Sequence, residues 1–130
     1  MAGERAVRID PTGPEGGREH RPVDLQHLAR YTLGERALER EVLELFCTQS
    51  VLYLEQLRAA MSSDRDWRDA AHSLKGSARA VGAWRAAKAA ERAEALQGDV
   101  LTQYRSAQID EIEASLREAE AYIVSVLKDR

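Results

Sequence analysis

From Val23 to Arg130 the chain contains no proline, and its apolar residues recur at steps of three and four. That spacing draws one apolar stripe along an α-helix. No segment alternates apolar and polar residues with period two, so no strand is expected. Five helices are predicted. The first, about 24–32, can be capped by Asp24 and ended by Gly34. The second, about 35–61, carries Leu38, Val42, Leu45, Phe46, Gln49, Leu52, Tyr53, Gln56 and Leu57 as its expected inner stripe. The third, about 64–81, follows the capping cluster Ser62-Ser63-Asp64. The fourth, about 84–97, is alanine-rich and stops at Gly98. The fifth, about 100–128, repeats the three-four pattern through Ile109, Ile112, Leu116, Ala119, Ile123 and Val126.

Short connections force consecutive helices to run antiparallel. The expected fold is therefore all-α: an antiparallel up-down four-helix bundle with a short additional N-terminal helix over it. Residues 23–130 form this domain. Residues 1–22 hold all three prolines and four of the eight glycines, and are expected to be a disordered tail.

Composition removes several function classes. Nineteen basic and 22 acidic residues leave a net charge of −3, so nucleic-acid and membrane-surface binding are not expected. No apolar run is long enough to span a bilayer, and no secretory signal is visible. The single cysteine, Cys47, excludes an intrachain disulfide and thiolate metal clusters; it reads as a small core residue in a cytoplasmic protein.

The third helix holds the chemistry-bearing residues. With ~100° per residue, Trp67, Ala70, Ala71, Ala78 and Val81 fall within ~60° of Leu74. His72 then points almost directly away from the core, ~160° from Leu74. Arg65, Arg68, Lys75 and Arg79 share its face. Repeated like charges at such spacings are mildly unfavourable, and they favour an anion beside the histidine. Of 19 basic side chains only Lys75, Lys88 and Lys128 are lysines, so Lys75 stands out. Gly76 lies one turn after His72 on the same face, where glycine costs ~1 kcal/mol relative to alanine. Nothing in the predicted core needs it small. A large partner approaching His72 does, and Ser73, Ser77 and Ala80 keep the surroundings low as well.

The run His72-Ser73-Leu74-Lys75-Gly76-Ser77-Ala78, followed by Gly82-Ala83, resembles the motif of histidine-containing phosphotransfer (HPt) domains. Asp24-Leu25, Gly34-Glu35, Leu43 to Phe46, Leu54, Leu57 and Asp66-Trp67 fit the family's upstream pattern, so the resemblance covers about residues 23–127. It implies that His72 is the phosphorylated histidine, that Lys75 contacts the phosphoryl oxygens, and that Gly76 gives the partner clearance. Glu94, 22 residues after His72, falls where the family often places a Gln or Glu that bonds the imidazole from the next helix. The chain departs from the family at Arg79-Ala80-Val81, where many members have Ala-Asn-Ile; Arg79 adds charge near the site.

The expected role is that of a phosphorelay intermediate, a phosphoryl carrier without autonomous catalysis. It takes a phosphoryl group on His72 from a receiver-domain aspartate or a kinase and passes it to another response regulator. The partners implied are a response-regulator receiver domain and a hybrid sensor histidine kinase. No cofactor is bound by this chain, and Mg²⁺ belongs to the partner receiver. Arg68 and Arg79 are candidates to assist in neutralising the phosphoryl group, with Ser73 beside it. Leu25, Leu28, Leu33 and Leu38 are candidates for an apolar docking patch, with core packing as the competing reading. A free-standing protein is expected, since the sequence from Met1 shows no ATP-binding glycine-rich segment and no receiver-type acidic cluster, and a monomer is expected, since one histidine site suffices. A phosphorylation-independent adaptor is the alternative, but it has no need for His72, Lys75 and Gly76 together. A di-metal bundle needs paired Glu-x-x-His elements; the nearest approach, Asp69 to His72, occurs once and faces outward.

Overall fold

The computed structural model describes residues 21–96 and 102–130. Among them are five α-helices and no strand: α1 (Leu25–Thr32), α2 (Arg36–Ala59), α3 (Asp64–Val81), α4 (Trp84–Glu94) and α5 (Thr102–Lys128). The expected tail, through residue 20, and the stop at Gly98 lie outside the described residues. Helix α2 packs against α3 and α5, and α4 packs against the same two, so the four longer helices close a ring. Helix α1 lies against α2 and α3.

Helix α1 is held by its cap. Asp24 Oδ1 accepts from the His27 amide at 3.1 Å, and Oδ2 accepts from Trp84 Nε1 at 3.1 Å. The Asp24 amide donates to the Gly82 carbonyl at 2.9 Å. One buried residue thus starts α1 and binds it to the α3–α4 turn. Gly82 makes that turn at φ +80°, and a Cβ there would lie 2.8 Å from Asp24 Cβ and O. At the other end of α1 the chain reverses through two left-handed residues, Leu33 and Gly34.

Helix α2 departs from the expected stripe. Its inward line is Glu39, Leu43, Phe46, Ser50 and Leu57. Phe46 and Leu57 were expected there, and Val42 and Tyr53 pack against the core edge. Leu38, Leu45 and Leu52 are exposed instead. The helix has apolar residues on two faces, and the inner one tolerates polar groups because they are satisfied. Ser50 Oγ donates to the Phe46 carbonyl at 2.7 Å. Glu39 accepts from Thr32 Oγ1 at 3.2 Å and pairs with Arg130 at 2.8 Å. Cys47 is half-buried against the core; burial first, then Glu120 and Glu44, push its thiol up and keep it protonated.

Helix α3 follows the predicted bounds. Ser63 caps it, accepting from the Asp66 amide at 3.2 Å. Trp67, Ala70, Ala71, Leu74, Ala78 and Val81 are buried. Helix α4 turns five alanines inward, Ala86, Ala87, Ala89, Ala90 and Ala93, so its backbone can approach closely. Trp67 Nε1 donates to the Ala93 carbonyl at 2.6 Å and fixes the last turn of α4 beside α3. Helix α5 buries Ile109, Ile112, Leu116, Ala119 and Ile123 as expected, with Leu127 rather than Val126 at its end. Arg105 is also buried: it donates to the Met61 carbonyl at 2.8 Å and to the Leu96 carbonyl at 3.1 Å, pairs with Asp64, and lies over the Trp67 ring. These contacts tie the α2–α3 turn and the end of α4 to α5, at the end of α4 that carries Glu94.

Candidate functional site

The core register of α3 decides what it shows to solvent. With Leu74 fully buried, His72 stands on the outer face and its side chain is 68% exposed. Lys75 is one turn further along. Glu94 comes from the last residue of α4, which the Trp67–Ala93 bond holds beside α3. The carboxylate is shared. His72 Nδ1 lies 2.8 Å from Glu94 Oε2, and Lys75 Nζ lies 2.6 Å from Oε1.

This geometry fixes a tautomer. The hydrogen bond from Lys75, and after it that from His72, hold the Glu94 carboxyl below the usual range, against a partial burial that works the other way. An ionised carboxylate can only accept, so the imidazole proton sits on Nδ1. The lone pair of the neutral ring is then on Nε2. Glu94 also ends α4, where the helix dipole is negative and a carboxylate is disfavoured. The Lys75 ammonium offsets that.

The remaining expected residues are placed as follows. A Cβ on Gly76 would meet nothing within 4 Å, so no packing within the chain requires glycine there. Ser73 and Arg68 are exposed on the same helix. Arg79, about half exposed, pairs with Glu91 of α4 at 3.4 Å. Lys75 differs from the expectation in one respect: its side chain is only 16% exposed, drawn along α3 to Glu94. Leu28 is a correction: at 2% exposure it belongs to the core and has no side chain to offer a partner. Leu25 is half-buried against the same core. Leu33, 89% exposed, and Leu38 do face solvent, and Tyr31 stands with them. Sequence reading missed Tyr31 and assigned Leu45 and Leu52 to the core. The seven-residue step through Leu38, Leu45 and Leu52 was the available signal, since it marks a second apolar line on α2.

A family model described as the Hpt domain matches residues 41–122, which take in most of α2, all of α3 and α4, and most of α5. The chain belongs to the Hpt domain family. Hpt domains serve as histidine phosphotransfer modules of phosphorelays, carry phosphoryl groups rather than turn over substrates, and interact with receiver domains or kinases. No curated protein and no solved structure matches the chain. No described helix is long and apolar enough to cross a membrane. The Hpt match begins after α1 and the first turn of α2, so the Asp24 anchor and Leu33 lie outside it.

Proposed function

We propose that this Hpt domain is a phosphorelay intermediate whose phosphoacceptor is His72 Nε2. The observation that carries this reading is the 2.8 Å contact between His72 Nδ1 and Glu94 Oε2 on an otherwise exposed imidazole. It commits one ring nitrogen and leaves the other for chemistry. The Nε2 lone pair attacks the phosphorus of a receiver's aspartyl phosphate; the N–P bond forms as the P–O bond to the aspartate breaks, and the aspartate leaves as carboxylate. The ring keeps its Nδ1 proton, and Glu94 stabilises the positive charge that develops on it. Transfer onward is the reverse, to the aspartate of another response regulator. The receiver brings Mg²⁺ and its own lysine, which act on the phosphoryl oxygens. Phosphoryl transfer needs chiefly in-line positioning and charge stabilisation, so a carrier has little else to supply.

The four longer helices run alternately up and down, with α1 as an additional short helix at one end. The protein acts as a cytoplasmic monomer, since one histidine suffices. The receiver docks over Gly76. Gln56 of α2 and Ser73 of α3 line one groove. Leu38, Leu45 and Leu52 of α2, with Leu33 and Tyr31, are the exposed apolar side chains offered to the receiver. Incubation with a phosphorylated receiver domain tests the reading: acid-labile, base-stable label should appear on the wild type and not on His72→Gln. Receiver binding without label on His72 would support the adaptor reading instead.

A further inference from the structure

The exposed face of α3 is divided by charge, and His72 stands on the dividing line. On one flank Lys75 reaches Glu94 of α4 at 2.6 Å, and Arg79 reaches Glu91 of α4 at 3.4 Å. On the other flank Asp66, Asp69 and Ser73 face α2. There, with Gln56 and three alanines, they line a groove of about 340 Å³. The alanines keep the groove open, and its lining holds two carboxylates and no cation. Neither carboxylate is neutralised within the chain. Asp66 is bonded through its amide, to Ser63 Oγ, and its carboxylate has no partner among the described residues. Asp69 meets Arg65 only at 4.0 Å, with both side chains well exposed, and such a pair contributes little. Asp66 lies in the first turn of α3, where the helix dipole favours a carboxylate; Asp69 lies beyond that turn and gains little from it.

We infer that this groove takes a basic side chain, lysine or arginine, of the receiver domain that docks on His72, and that it selects among receivers by that contact. The inference rests on the reading of His72 as phosphoacceptor. Asp69 lies three residues before His72 and Asp66 six, about 4.5 and 9 Å along the helix. A specific protein interface covers about 800 Å² on each partner, a disc of radius about 16 Å. A receiver centred on His72 therefore overlies both carboxylates. Stripping water from an unpaired carboxylate is strongly unfavourable. A guanidinium or ammonium delivered to the groove forms a charge-assisted pair instead, and Gln56 and Ser73 offer further acceptors. A receiver that brings a carboxylate or an apolar side chain to the same place is disfavoured. With the receiver's aspartate held at His72, a basic contact on the α2 flank also fixes the receiver's rotation about that point.

Titration with a purified receiver domain tests the groove, and label uptake from the same receiver, phosphorylated, tests His72 in parallel. Asp66→Asn together with Asp69→Asn should weaken receiver binding about tenfold, and the difference should shrink as salt is raised. Asp69→Lys should weaken it further. Asp110→Asn, on α5 away from α3, also removes one negative charge and should leave the affinity unchanged. Each exposed lysine and arginine of the receiver is then replaced in turn by glutamate. One of these receiver variants should bind wild type poorly and recover on Asp69→Lys. If the double variant does not fold, Asp69→Asn alone carries the test, since it leaves the capped first turn of α3 intact. Unchanged affinity on neutralising the groove, or no receiver variant rescued by Asp69→Lys, would overturn the inference. Absence of label on His72 would overturn the phosphoacceptor reading, while the titrations would still decide whether the groove holds a basic side chain.

Discussion

Glu94, the last residue of α4, meets His72 of α3 through Oε2 and Nδ1 at 2.8 Å. The contact joins two helices at the one exposed histidine of α3, and it makes the site sensitive to the ionisation of a single carboxylate.

Acid should remove that contribution in a defined direction. The Glu94 carboxyl is held below its ordinary value, first by Lys75 and then by His72. A depressed folded pKa adds stability that is fully present above the unfolded glutamate value of about 4.3, and that is lost as pH falls through the lower folded value. Melting temperatures of wild type and Glu94→Gln, compared from pH 7 down to pH 3, should differ most at the upper end and converge below about pH 4. A difference independent of pH would mean that the carboxylate charge contributes nothing to the fold.

Gly76 should give opposite signs in two assays. Its Cβ position is open, so Gly76→Ala should stabilise the helix by ~0.5–1 kcal/mol. Gly76→Leu should leave the fold intact and weaken receiver binding. Thermal denaturation and receiver titration check the pair. Unchanged receiver affinity in the leucine variant would remove the clearance argument.

Gly82 should behave in the contrary way. Its φ of +80° and the 2.8 Å approach to Asp24 leave no room for a side chain. Gly82→Ala should cost at least ~2 kcal/mol by denaturant unfolding. Trp84, whose Nε1 donates to Asp24, should report the loosening by fluorescence. A variant as stable as wild type would show that α1 is not anchored through this turn.

The sequence made α3 fully legible because its apolar residues occupy one face only, so the core register and the outward direction of His72 followed together. Helix α2 was less legible. It carries leucines on two faces, while its inner line includes Glu39 and Ser50, and no pattern of hydrophobicity announces that Thr32, Arg130 and the Phe46 carbonyl satisfy them. Glu94 could be placed near His72 only through the resemblance, since spacing between two helices does not reveal which turns face each other. The partner of Lys75 was not readable for a related reason. A wheel gives the direction in which a long side chain leaves the helix, not where its end comes to rest, and here that end lies against Glu94. Nothing in the sequence marks Arg105 for burial, since a guanidinium is seldom buried and the Met61 and Leu96 carbonyls that hold it come from distant turns.

The most direct test of the central claim is transfer of labelled phosphate from a phosphorylated receiver domain to wild type and His72→Gln, followed by mapping of the acid-labile product. The account predicts stoichiometric label on His72 Nε2 in the wild type and none in the variant. Equal label on the two proteins, or label mapped to another residue, would contradict it.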